Sequence, residues 1–142
     1  MKILWTDGSA VPNPGKGGFA VILDNGETGE PVVLGSEENS TNIRMEGLAM
    51  FAAIKYAGEE GCEIHSDSEF WINVLTKWAS GWEAKGWRKS SGEIANLDIV
   101  KELYGLYRQY PVELVWEKGH AGTKYNEMAD EWANKARIGE KI

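Results

Sequence analysis

The chain has 142 residues, a formal net charge of −7 and one cysteine, a length that suits a single domain burying about two thirds of its unfolded surface. Cys62 alone excludes an internal disulfide, and with only two histidines it excludes a four-ligand zinc site of soft side chains, so any metal is expected on carboxylates. No signal-like apolar core opens the chain, and no apolar run approaches the roughly 20 residues of a membrane span. A cytoplasmic, monomeric protein with no membrane partner is expected, and the acidity opposes a general affinity for nucleic acid.

Apolar runs at Lys2 to Thr6, Gly18 to Leu23 and Pro31 to Leu34, separated by Gly, Asn and Pro, predict three strands of an antiparallel meander. The period then changes. Ile43 to Ala57 is rich in Met, Ala, Leu and Phe, with Asn42 as N-cap and Gly58 past its end, and predicts a helix. Cys62 to Ser66 reads as a fourth strand, reached through that helix and so parallel to a neighbour. Helical patterns follow at Ser68 to Trp78 and Asn96 to Gln109, then a strand at Val112 to Glu117 and a last helix from Asn126 to Arg137. The order βββαβααβα predicts one α/β domain spanning residues 1–142, with a mixed five-stranded sheet and helices on both faces.

The stretch WTDGSAVPNPGKGG at residues 5–18 invites a phosphate-loop reading. That motif needs a Gly where Ala10 stands and a hydroxyl where Gly17 stands, so it fails. Asp7 follows the first predicted strand and Asp67 the fourth, and parallel neighbours bring such ends to one edge of the sheet, where ligands of open α/β sheets bind. Each also has an ordinary reading: Asp before Gly is turn chemistry, and Asp67 falls in a first helical turn where Ser66 and Glu69 have capping-box spacing. Glu46 suits the first-helix dipole, but Ile43, three residues earlier, makes a poor capping box. In the last helix Met128, Ala129, Trp132, Ala133 and Ala136 form an apolar stripe, with Asp130 on one flank and Glu127 and Glu131 on the other. Helical geometry alone does not choose among those acids.

TDGS at Thr6 to Ser9 followed by NPGKGG, TNIRME at Thr41 to Glu46, SDS at Ser66 to Ser68, KGHAG at Lys118 to Gly122 and NEMAD at Asn126 to Asp130 together resemble type 1 ribonuclease H, in its order and spacing, over nearly the whole chain. The resemblance implies a ribonuclease H fold of the bacterial form with a basic protrusion. It implies hydrolysis of the RNA strand of an RNA/DNA hybrid, leaving 3′-hydroxyl and 5′-phosphate ends. It selects Asp7, Glu46, Asp67 and Asp130 as holders of two magnesium ions, with manganese accepted in their place. Asp7 would bridge both ions, Glu46 and Asp67 would serve one, and Asp130 the other. His120 would carry a proton or assist product release, whereas His65 matches no motif and reads as structural. Hard carboxylate oxygens suit magnesium better than imidazole or thiolate.

Trp78, Trp82, Lys85, Trp87, Arg88 and Lys89 crowd into twelve residues, where only Glu83 is acidic. Aromatics at helical spacing are usually core, and Trp82 fits that reading; with cations they also suit a sugar–phosphate backbone. The segment resembles the family's protrusion, a local offset to the acidic total. By the same resemblance Thr41 and Asn96 would grip a DNA phosphate, while Asn13 and Asn42 would sense 2′-hydroxyls. The chain departs from the pattern at Ile43, where many relatives carry an amide, and at Glu69, where they carry Gln. No separate N-terminal hybrid-binding module is expected, which leaves the grip to this domain. A transposase or resolvase of the same fold, and a hybrid-binding module without catalysis, are the rival readings.

Overall fold

The computed structural model describes residues 1–89, 91–118 and 123–142. Strand β1 (Lys2–Val11) pairs antiparallel with β2 (Gly15–Leu23), and β3 (Glu30–Ser40) adds antiparallel to β2. Helix α1 (Asn42–Ala57) and a 3-10 turn (Gly58–Glu60) lead into β4 (Cys62–Ser66), which lies parallel to β1. Next come α2 (Glu69–Asn73), a π-helical turn (Val74–Trp78), α3 (Ala79–Ala84) and α4 (Leu97–Gln109). Strand β5 (Val112–Trp116) pairs parallel with β4, and α5 (Lys124–Arg137) is the last helix. The sheet order β3-β2-β1-β4-β5 is the expected mixed, five-stranded one, with β1 at its centre.

A central strand must bury both faces, and β1 does so by alternation. Leu4 joins Val21, Met50, Ile54, Ile64, Trp71 and Leu103 in the larger core, on the side of α1 and α4. Trp5 joins Ala20, Ile22, Ala129 and Ala133 under α5. Two glycines set the helix distances. A Cβ on Gly8 would overlap the backbone of Met45 and Glu46 in α1, and one on Gly18 would overlap the backbone of Ala133 and Arg137 in α5. Both helices therefore press directly on the sheet.

Several local expectations are corrected. The strands β1, β2 and β3 all extend beyond the apolar runs, so Asp7 lies inside β1 rather than after it, and the glycine-rich stretch is a hairpin closed by a turn at residues 12–14. Helix α1 is capped by Thr41, whose hydroxyl accepts from Arg44 N at 3.1 Å, and Asn42 is its first residue. Ser68, not Ser66, caps α2, accepting from Trp71 N at 3.3 Å. The helical path begun at Glu69 runs on through the π turn to Ala84 instead of stopping at Trp78, and α5 starts at Lys124, two residues early.

Candidate active site

The pairing of β1 with β4 matches Trp5 to His65, and the same register carried two residues on sets Asp7 beside Asp67. Gly8 lets α1 approach at that level and brings in Glu46. As a result Asp7, Glu46 and Asp67 offer oxygens that lie within 4.8 Å of one another. They line a cleft of about 260 Å³ together with Gly8, Ser9, Asn42, Asn126, Glu127 and Asp130. Asp130 stands on an exposed flank of α5 at the rim, beside the three-acid group rather than within it. Glu127 shares that cleft-facing flank, contrary to the sequence expectation that put it on the opposite one.

The electrostatics are those of carboxyl groups crowded together and partly buried. Burial, then the charges of Asp67, Asp130 and Glu46, push the Asp7 carboxyl up to about 8, even though Gly8 N donates to it at 2.9 Å. Burial raises Glu46 to about 7, Asp67 adds to the rise, and a hydrogen bond from the Ser68 hydroxyl opposes it. Ser68 thus caps α2 and holds Glu46 at once, a role not foreseen from sequence, although it adjoins Asp67 in the SDS motif. A divalent cation fits this donor set: hard oxygens converge, and the ion's charge removes the repulsion that resists their ionisation.

The other sequence-selected residues divide into two groups. Near the cleft, Asn42 Oδ1 accepts from Ala10 N at 2.6 Å, and Asn13 Oδ1 accepts from Asn42 N at 3.1 Å, which staples the β1–β2 turn to the start of α1. With those oxygens engaged, each amide still has its NH2 group as a donor, and Thr41 its hydroxyl proton. Arg44 spans the same region, bonding Glu37 through Nε at 3.0 Å and Asp98 through Nη2 at 3.1 Å. That guanidinium holds the Asp98 carboxyl below its usual range and ties α1 to α4, where Asn96 occupies the N-cap in a left-handed conformation, φ 55°.

Further out, Trp78 is 41% exposed, and Trp82 packs half-buried beside it with ring centroids 6.1 Å apart. They line a hollow with Phe70, Lys89, Ile94 and Ala95, and Lys89 also borders a second hollow with Trp87 and Arg88. Lys85 is exposed just past α3 and lines neither. His65 lies between Glu63 and Glu117, at 2.6 and 2.7 Å, and stacks on Trp5 at 4.2 Å. His120 lies outside the described residues. Among the described residues no helix is long and apolar enough to cross a membrane.

A family model for RNase H matches residues 1–138. A ribonuclease H of Acidiphilium cryptum is 38% identical over 137 residues, covering 94% of this chain and 84% of the relative. One of Granulibacter bethesdensis is 40% identical over 138 residues, covering 95% and 91%. Among solved structures, LC9-RNase H1, described as a type 1 RNase H with the type 2 active-site motif, is 28% identical and superposes with a TM-score of 0.82 over 99% of this chain and 73% of its own. The PFV RNase H domain, 21% identical, shares the fold with a TM-score of 0.73 over 96% of this chain and 94% of that one. With residues 1–138 matched by the family model and relatives 38–40% identical over nearly its whole length, the chain belongs to the ribonuclease H family.

Proposed function

We propose that this ribonuclease H is an endonuclease that cuts the RNA strand of RNA/DNA hybrids, using two magnesium ions held by Asp7, Glu46, Asp67 and Asp130. The observation that carries the reading is the convergence of Asp7, Glu46 and Asp67 within 4.8 Å at a cleft whose rim supplies Asp130. When bound, the ions activate the attacking water and stabilise charge on the leaving oxygen of an in-line displacement. The water oxygen bonds to phosphorus as the bond to the 3′ oxygen breaks, which leaves a 5′ phosphate and a 3′ hydroxyl. The protein's part is to converge the oxygens, to hold Glu46 through Ser68, and to shed the carboxyl protons as the cations enter. By the family resemblance His120 would carry a proton or assist product release.

Hybrid recognition follows from which groups remain free to donate. Asn13 and Asn42 have their amide oxygens engaged, so their NH2 groups meet 2′-hydroxyl oxygens, the mark of RNA. The Thr41 hydroxyl, with Asn96 tied nearby through Arg44 and Asp98, meets a phosphate of the DNA strand. Trp78, Trp82, Lys85, Arg88 and Lys89 hold the backbone further along, which offsets locally a net charge of −7. The whole chain acts as one catalytic domain, a monomer in the cytoplasm. Labelled hybrid incubated with the protein and magnesium should be cut in its RNA strand only, and EDTA should stop the cleavage. Cleavage of duplex DNA would favour another nuclease of this fold, and tight binding without cleavage a recognition module.

A further inference from the structure

We infer that Ser9 and Asn134 form a positioning pair that sets where Asp130 stands relative to Asp7; the inference rests on the reading of Asp130 as the fourth ligand. Asp7, Glu46 and Asp67 are placed by strand register and by the close approach at Gly8. Asp130 stands on a helix instead, outside that strand register. Its helix packs on the sheet through Ala129 and Ala133, flanked by the half-buried Tyr125, Met128 and Trp132 and with its backbone against Gly18, which fixes how close α5 comes. Directional polar ties add to that packing. At the start of α5, Lys124 Nζ and Tyr125 Oη donate to the Glu27 carbonyl at 2.9 and 3.3 Å.

At its middle, Ser9 Oγ donates to Asn134 Oδ1 at 3.1 Å, and Asn134 Nδ2 donates to the Asp130 carbonyl at 3.0 Å. Ser9 lies two residues beyond Asp7 on β1 and lines the same cleft, while Asn134 lies one turn beyond Asp130. The pair thus links the two acids by a short path, across 125 residues of sequence. The amide orientation follows from its neighbours. Arg137 Nε donates to the oxygen at 3.4 Å and a carbonyl meets the nitrogen, so a flipped amide would lose both of those bonds, and in the orientation they fix the Ser9 hydroxyl is the donor. The amide of asparagine places an acceptor and a donor on separate atoms of one planar group, so each meets its own partner.

The test uses S9A, N134A and the double variant, with S9T keeping the hydroxyl and D130N as the control. Each alanine variant should lower kcat on hybrid about tenfold, as the loss of a group that orients a ligand does, with KM moved less than twofold. The double variant should be no slower than the slower single one, because both break the same link, and S9T should recover most of the loss. A readout independent of turnover comes from melting in EDTA. D130N should raise the midpoint of the otherwise native protein by relieving repulsion with Asp7, and should raise it less in an N134A background, where Asp130 is no longer held there. Losses that multiply in the double variant, unchanged kcat in both singles, or an equal midpoint gain in both backgrounds would overturn the inference. Turnover retained by D130N would overturn it together with the ligand reading on which it rests.

Discussion

The carboxylate cleft and the aromatic, cationic segment from Trp78 to Asn96 are built by opposite means. In the cleft, residues far apart in sequence meet because β1 and β4 share a register and α1 presses on Gly8, and the acids are held together against their own repulsion. In the segment, Trp78, Trp82 and Lys89 meet because they are near in sequence, with Trp87 and Asn96 in left-handed conformations turning the chain between α3 and α4. On the proposed reading, chemistry that demands fixed distances sits on the sheet and on the helices pressed against it. Grip that tolerates adjustment would sit on a short helix and turns. The difference predicts that cleft substitutions act on kcat, and segment substitutions on KM and salt dependence.

The largest effect should come from Asp7→Asn. Asp7 touches both neighbouring acids electrostatically and feels Asp130 as well, so losing its charge removes the centre of the site. Turnover should fall by about 10³-fold or more, the rate equivalent of the several kcal/mol that metal assistance supplies. Hybrid affinity, carried elsewhere, should stay within about threefold. Magnesium-dependent cleavage by a preparation freed of host nuclease would sink the assignment.

The second effect is on stability without metal. Asp7 and Glu46 keep their protons in the folded state up to about 8 and 7, whereas in the unfolded chain they release them near 3.8 and 4.5. Across that window the unfolded state binds fewer protons, so stability falls as pH rises from about 4 to 8. In EDTA the melting midpoint of the wild type should therefore drop between pH 5 and pH 8, and that of Asp7→Asn should drop less and lie higher at pH 8. Magnesium should raise the wild-type midpoint, more at pH 8 than at pH 6 because protons compete for the same oxygens, and raise the variant less. Parallel pH curves for the two proteins in EDTA would mean that the acids do not form one strained site.

What was legible in the sequence follows the same division. Asp7 and Asp67 could be paired because each marks the apolar run of a strand, and parallel neighbours repeat their register. The end of β1 could not be read, because Gly8, Ser9 and Ala10 carry little of the alternation that marks a strand, although they pair with β2 as far as Val11. The capping residues fall one or two positions from where the sequence puts them, since Thr41 and Asn42, or Ser66 and Ser68, offer equivalent side-chain oxygens and only the backbone angles choose. Ser9 with Asn134 left no local trace: nothing near either residue signals a partner 125 positions away. The segment was legible as composition but not as shape, because the π turn, with Val74 and Leu75 buried, and the left-handed Trp87, with its ring against Tyr104, depend on packing against the core.

Third in size is the effect of replacing Lys85, Arg88 and Lys89 by Ala. KM for the hybrid should rise severalfold while kcat stays within about twofold, and the slope of log affinity against log salt should shrink by up to ~0.9 for each phosphate no longer neutralised. Lys89 should contribute most, since it borders both aromatic hollows, and Lys85 least, since it lines neither. Equal effects from the three single variants would show that the hollows have no part in the grip and that only total charge counts.

The smallest effect should separate the two regions at their boundary. Glu69 is exposed in the first turn of α2, two residues from Asp67, and so sets a negative charge beside the path of a polyanion. It also suits the positive end of that short helix, which gives its carboxylate a modest stabilising role. Glu69→Gln keeps the shape and removes the charge. At low salt KM should fall by up to about twofold, and the gain should vanish near ~0.5 M salt, where screening acts within a few ångströms. The melting midpoint should fall slightly, and kcat should not change, because the three converging acids are placed without help from Glu69. A change in kcat would instead make Glu69 part of the cleft's machinery and move the boundary between the two regions past the first turn of α2.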